Sequence, residues 1–200
     1  MFGLNYESQI YQDYLTIIYQ AETSALLSHA DGQKTITETN GEVLFPSVAK
    51  LLSLLSLKDE DKFLDLGSGR GRLVAQVFLT SPVSQAIGIE VVLSLHQQAE
   101  AVANRICQDV SRFDGRGRQI TFILGDFFEC DFPDASVVFI NSTCFSQSML
   151  YRLSVRLDQH IKVHSILTLK PLPALKRFQF KKAIRVECSW DSALCFLYCR

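Results

Sequence analysis

Asp65-Leu66-Gly67-Ser68-Gly69-Arg70-Gly71 closes a short apolar run beginning at Lys62 and opens onto Arg72 to Leu79, which carries helical spacing. Glycines at alternate positions let the backbone turn sharply and admit a ligand with no Cβ in its way. The helix beyond offers unpaired N-H groups. A strand, a bare turn and a helix in that order make a nucleotide-type cofactor site at the carboxyl end of the strand. The dinucleotide version places its third glycine one position later, where Arg72 stands, so the pyrophosphate reading fits less well.

Downstream, short apolar runs alternate with longer amphipathic stretches, the pattern of βαβ units. Strands are predicted at Lys62 to Leu66, Ala86 to Glu90, Ile120 to Leu124, Ser136 to Ile140 and His164 to Leu169. Helices are predicted at Arg72 to Leu79, Leu93 to Val110 and Gln147 to Leu157. Two strand-like runs, Ala183 to Trp190 and Ala193 to Tyr198, flank Asp191-Ser192 and read as an antiparallel hairpin. The expected fold is therefore α/β: a Rossmann-like, seven-stranded S-adenosylmethionine (SAM) methyltransferase sheet whose seventh strand inserts antiparallel beside the fifth. A dinucleotide-binding domain would continue parallel.

Upstream, Ile10, Tyr14, Ile17, Ile18, Ala21, Ala25 and Leu26 fall at spacings of three and four and predict an amphipathic helix from Glu7 to about Ser28. The polar stretch Asp31 to Gly41 reads as a loop, and Pro46 to Leu57 as a buried helix with proline in its first turn. The expected organisation is a helical lid and loop over 1–40 and a catalytic domain over 41–200.

The 200 residues are 48% hydrophobic and 20% charged, suited to one globular core. The net charge of -1 supplies no general attraction for nucleic acid or an anionic membrane, and the run Lys176 to Lys182 is expected to be a solvated face. Six cysteines without a CxxC pair read as reduced thiols of a cytoplasmic protein, and no metal site is expected. No apolar run reaches the roughly 18 to 20 residues needed to span a bilayer.

Several polar residues stand where SAM would need them. Asp65 precedes the turn, placed to organise it and to offset a ligand carrying an ammonium and a sulfonium. Glu90 ends the second strand about twenty residues beyond the glycines, where a carboxylate accepts ribose hydroxyls. Gly125-Asp126-Phe127-Phe128 follows the third strand, so Asp126 can accept from the adenine amino group while a phenyl ring covers the base. Asn141 ends the fourth strand at the edge of the sheet where open α/β folds place chemistry, and its carbonyl oxygen suits an incoming amine. No Pro-Pro-aromatic sequence follows it, which argues against a nucleic-acid base as that amine.

In this order the residues resemble the disruptor-of-telomeric-silencing family, the histone-lysine methyltransferases that lack a SET domain. The resemblance runs from about Asn40 to Tyr198, on Asn40-Gly41-Glu42, Phe63 to Arg72, Gly88-Ile89-Glu90, Gly125 to Phe128, Val138 to Asn141 with Phe145, and Ser189-Trp190. It implies SAM as cofactor, held by Glu42, Asp65, Gly67, Gly69, Gly71, Glu90, Asp126 and Phe127. It also implies a lysine channel lined by Asn141, Phe145 and Trp190. Asn40 stands in place of the family's tyrosine, and Ser142-Thr143-Cys144 in place of a second asparagine and its neighbours. Without a strongly basic extension, the expected partner is a protein other than the nucleosome; the oligomeric state is left open. Methyl transfer to a small molecule or RNA, and a SAM-binding module without catalysis, stay open as alternatives. His29, His96, His160 and His164 occur singly and are assigned no catalytic part.

Overall fold

A computed structural model describes residues 6–29, 41–110 and 117–200, with the backbone alone described for 6–8, 22–29 and 110. The elements are α1 (Tyr6–His29), α2 (Phe45–Leu52), β1 (Lys62–Leu66), α3 (Arg72–Thr80), β2 (Gln85–Glu90) and α4 (Leu93–Val110). They continue with β3 (Gln119–Leu124), β4 (Val137–Ile140), α5 (Gln147–Gln159), β5 (Ser165–Thr168), β6 (Gln179–Glu187) and β7 (Ser192–Cys199).

The seven strands form one sheet in the order β3-β2-β1-β4-β5-β7-β6. The first five run parallel, and β7 pairs antiparallel with both β5 and β6. β1, β4 and β5 are buried almost throughout, as strands covered on both faces must be. One core cluster joins the sheet to α1, α3 and α4 through residues such as Phe63, Val74, Phe78, Val102 and Ile106. The other packs Leu64, Leu66, Ile140, Leu150, Leu153 and Ile166 on the opposite face under α5.

Three elements differ from the sequence reading. α2 stops at Leu52 instead of Leu57, because Ser53 ends it: its hydroxyl donates to the Lys50 carbonyl at 2.8 Å, and Leu54 and Leu55 continue in a tighter turn. β6 begins at Gln179 and ends at Glu187, four residues early at one end and three at the other. Its first residues are polar because β6 is a sheet edge, and a register shift between Phe180 and Lys182 breaks the alternation. On α1 the buried stripe is Tyr11, Tyr14, Leu15, Ile18 and Tyr19, whereas Ile10 and Ile17 are exposed. Two apolar stripes compete there, and the one carrying aromatic rings meets α3 and α4.

Lys176, Arg177, Lys181 and Lys182 are exposed, as a solvated face requires. The six cysteines are free thiols, and Cys195 is pushed up to about 12 by burial. Among the described residues no helix is long and apolar enough to cross a membrane. The predicted loop from Asp31 through Asn40, and the side chains of Ala25, Leu26 and His29, lie outside the described residues.

Candidate active site

The strand order reverses between β1 and β4, and the carboxyl ends of the strands at that switch point open into a cleft of about 360 Å3. Gly67, Gly69 and Gly71 all have positive φ, +82°, +55° and +78°. Two of them differ in what requires glycine. A Cβ on Gly67 would meet nothing within 4 Å, so the backbone conformation alone asks for glycine. A Cβ on Gly71 would also lie 2.4 Å from the Phe122 ring, so close packing adds to the demand.

Asp65 lines the floor of the cleft at 3% exposure, and its Oδ1 has no hydrogen-bond partner among the described residues. Burial, and then the negative charge of Glu90, push the carboxyl up to about 8. Glu90 is buried beside it, yet both its oxygens are engaged. Oε2 accepts the Gly69 N-H at 2.8 Å and Oε1 the Val92 N-H at 2.8 Å. Glu90 thus holds the glycine turn in place. Each oxygen retains a second lone pair, and Glu90 lines the cleft.

Asp126 folds its own loop, with Oδ1 accepting the Phe128 N-H at 2.8 Å, and it lines the cleft with Phe127 and Phe128. The Arg156 guanidinium on α5 donates to the carbonyls of Phe128 and Cys130, and Arg152 lies over the Phe128 ring at 4.4 Å. Phe127 stacks on Phe145 at 5.7 Å between centroids, which joins the loop after β3 to the turn after β4. That second turn is braced by Ser142, whose fully buried hydroxyl lies 2.9 Å from Thr168 Oγ1 and accepts the Lys170 N-H.

Asn141 lines the cleft with both ends of its amide in use: Nδ2 donates to the Gly41 carbonyl, and Oδ1 accepts from Thr143 Oγ1 at 2.9 Å. The strap Gly41-Glu42-Val43 runs beside the end of β6. Glu42 N-H donates to Ser189 Oγ at 3.1 Å, Ser189 N-H returns to the Glu42 carbonyl at 2.8 Å, and Val43 bridges Cys188. Glu42 Oε1 lies 3.2 Å from Arg70 Nη2, and Oε2 lies 3.1 Å from Arg72 Nε in an ion pair without hydrogen-bond alignment. Trp190 stands one layer back, its ring so close over Gly41 that a Cβ there would lie 2.0 Å from a ring carbon.

The folded chain therefore brings Glu42, Asp65, the glycines Gly67 and Gly69, Glu90, Asp126, Phe127, Asn141 and Phe145 into one lining. Gly71 caps α3 behind it, and Trp190 reaches the cleft through Gly41. None of the three histidines with described side chains lines it. Arg70 and Arg72 were missed, although two cations interleaved with the glycines are a signal for an acidic partner nearby. Tyr19 was missed as well: the apolar stripe predicted for the first helix did not include it, and nothing in the local spacing makes it a neighbour of the turn.

A family model, described as histone methylation protein DOT1, matches residues 20–186, which include the strap, the glycine turn and the ends of all five parallel strands. The chain belongs to the DOT1 family. A relative named histone-lysine N-methyltransferase, H3 lysine-79 specific, from Caenorhabditis elegans is 29% identical over 147 residues, 70% of this chain and 16% of that protein. The Drosophila melanogaster protein of the same name is 29% identical over 123 residues, covering 60% of this chain and 7% of its own length. This DOT1-family chain thus corresponds to a small part of these relatives. Among solved structures it is similar to an RNA methyltransferase from Salinibacter ruber in complex with S-adenosyl-L-homocysteine, with TM-score 0.52 and 21% identity over 76% of this chain and 90% of that one. It is also similar to TrmN from Thermus thermophilus, with TM-score 0.57 and 18% identity over 76% and 48% of the two chains. These likenesses show that the DOT1-family chain has the Rossmann-like methyltransferase fold.

Proposed function

We propose that this chain binds SAM in the cleft and transfers its methyl group to a lysine amine of a protein. The observation that carries the reading is Asp65, a buried carboxyl with an unpartnered oxygen on the floor of a cleft whose turn is built from left-handed glycines. Such a group is costly unless a ligand pairs with it, and the ammonium of SAM is a suitable partner. Family membership and the resemblance to H3 lysine-79 methyltransferases support the lysine acceptor.

In this reading Glu90 takes the ribose hydroxyls with its remaining lone pairs, Asp126 the adenine amino group, and Phe127 the face of the base. Glu42 closes on the methionine end. Bound SAM would supply an electrophilic methyl on a sulfonium. An incoming lysine must be neutral to accept it, although its ordinary pKa is about 10.4. The Phe127-Phe145 stack beside Asn141 is an apolar wall that disfavours the ammonium and so lowers that pKa. Asn141 Oδ1 has one lone pair left to orient the amine, and Trp190 fixes the strap from outside. The helix α1 serves as a brace, packed on α3 and α4 with Tyr19 against the glycine turn, and the protein works in a reducing compartment that suits its free thiols.

One observation favours a second reading, a SAM-binding module without catalysis: Asn141 is already bonded at both ends of its amide. Incubation with methyl-labelled SAM and fractionated cell protein, RNA and metabolites separates the readings. Label on protein lysine is the expected result. Label confined to RNA or metabolites overturns the lysine acceptor, and tight SAM binding without any transfer selects the second reading.

A further inference from the structure

The ion pair between Glu42 and the two arginines does not stand alone. Tyr19, on α1, is 2% exposed and meets the glycine turn from the side away from the cleft. Its hydroxyl donates to the Arg70 carbonyl at 3.1 Å, and its ring lies 4.5 Å from the Arg72 guanidinium. One side chain thus holds the backbone of the turn and one of the two cations that grip Glu42. We infer that Tyr19 is a positioning residue for the cofactor site, setting Glu42 through Arg70 and Arg72 and making α1 a working part of that site. The inference rests on the reading of Glu42 as a cofactor contact.

The physical case is one of freedom removed. An arginine on a glycine-rich turn has several rotatable bonds and a backbone with few restraints of its own. A buried ring beside the guanidinium narrows the poses open to Arg72, whose Nε lies 3.1 Å from Glu42 Oε2, and cation-π attraction strengthens as the pair leaves water. The hydroxyl fixes the same turn at Arg70. Phenylalanine would keep the ring and lose the bond to Arg70; leucine would lose both. Burial pushes the Tyr19 hydroxyl well above its usual range, so it stays a neutral donor at any working pH.

The test is a cycle of Tyr19 and Glu42 variants, read by calorimetric binding of S-adenosyl-L-homocysteine (SAH) and by the emission of Trp190, the single tryptophan, whose ring lies on Gly41 beside Glu42. Tyr19→Leu is expected to weaken SAH about tenfold and Tyr19→Phe about threefold, with a shifted Trp190 emission in the leucine variant. In a Glu42→Gln background the same changes should add less than about twofold, because the side chain they position is already impaired. Leu15→Ala, a core change on the same helix, should lower Tm and leave SAH affinity in place. Equal losses from Tyr19 changes in both backgrounds, or a lower Tm with unchanged affinity, would overturn the inference. Should Tyr19→Leu not fold, the cycle with Tyr19→Phe decides alone. A wild-type chain that fails to bind SAH would overturn the cofactor reading itself, and this inference with it.

Discussion

Glu90 accepts the Gly69 N-H at 2.8 Å, so the residue that ends β2 holds the turn that leaves β1. A single carboxylate couples the proposed ribose contact to the shape of the glycine turn. Glu90→Gln replaces one accepting oxygen with an NH2 that faces a backbone donor. The expected result is SAH binding weakened more than about tenfold together with a stability loss of about 1 to 3 kcal/mol. Calorimetry and thermal melting check both, and a loss of affinity without any loss of stability would contradict the double duty.

Asp65 should make stability fall as pH rises. Its folded pKa of about 8 lies above the ordinary 3.8 through burial and then the charge of Glu90, so between those values the native state holds a proton that the unfolded chain has released. Stability from this group is lost as pH climbs from about 4 and levels above about 8, over a range on the order of a few kcal/mol. Asp65→Asn should flatten that slope, raise Tm at pH 8 and weaken SAH binding. Identical slopes of Tm against pH in the two proteins would refute the assignment.

The glycines of the turn should not be equivalent. Gly71→Ala meets the Phe122 ring 2.4 Å from its new Cβ at φ +78°, and should cost about 2 to 5 kcal/mol. Gly67→Ala, at φ +82° in open space, should cost only about 1 to 2 kcal/mol. Chemical denaturation gives both values, and an equal cost would show that the ring contact relaxes.

Phe145 lines the cleft, stacked on Phe127, and is proposed to wall the acceptor side. Phe145→Ala should lower the methyl transfer rate at neutral pH about tenfold or more while SAH affinity changes less than about threefold, and raising the pH should recover part of the rate. Initial rates across pH 7 to 10 with a lysine-bearing protein substrate measure this. A rate loss that does not respond to pH would remove the apolar wall from the account.

Much of the fold was legible because local patterns and long-range pairing agree. The runs at Lys62 to Leu66 and around Val137 to Ile140 are strands buried on both faces, and the glycines between Asp65 and Arg72 adopt the positive φ that residues with a Cβ rarely reach. β6 was harder to place: an edge strand faces water, so Gln179 to Lys182 carry no apolar alternation. The candidate site divides in the same way. Asp65, Glu90 and Asp126 sit at strand ends that the periodicity locates, and position alone marks them.

By itself, then, the sequence determined the α/β order of elements, the glycine turn, the acidic residues at the ends of the first three strands and the terminal hairpin, all of which depend on neighbours close along the chain. Only the tertiary structure decided that Glu42 meets Arg70 and Arg72, that Asn141 holds Gly41 across a hundred residues, that Tyr19 lies under the turn and that Trp190 stands behind the strap. Such contacts join segments with no periodicity in common. They follow from how the strap and α1 settle against the finished sheet, where packing and charge across long sequence separations choose among arrangements that local spacing leaves equal.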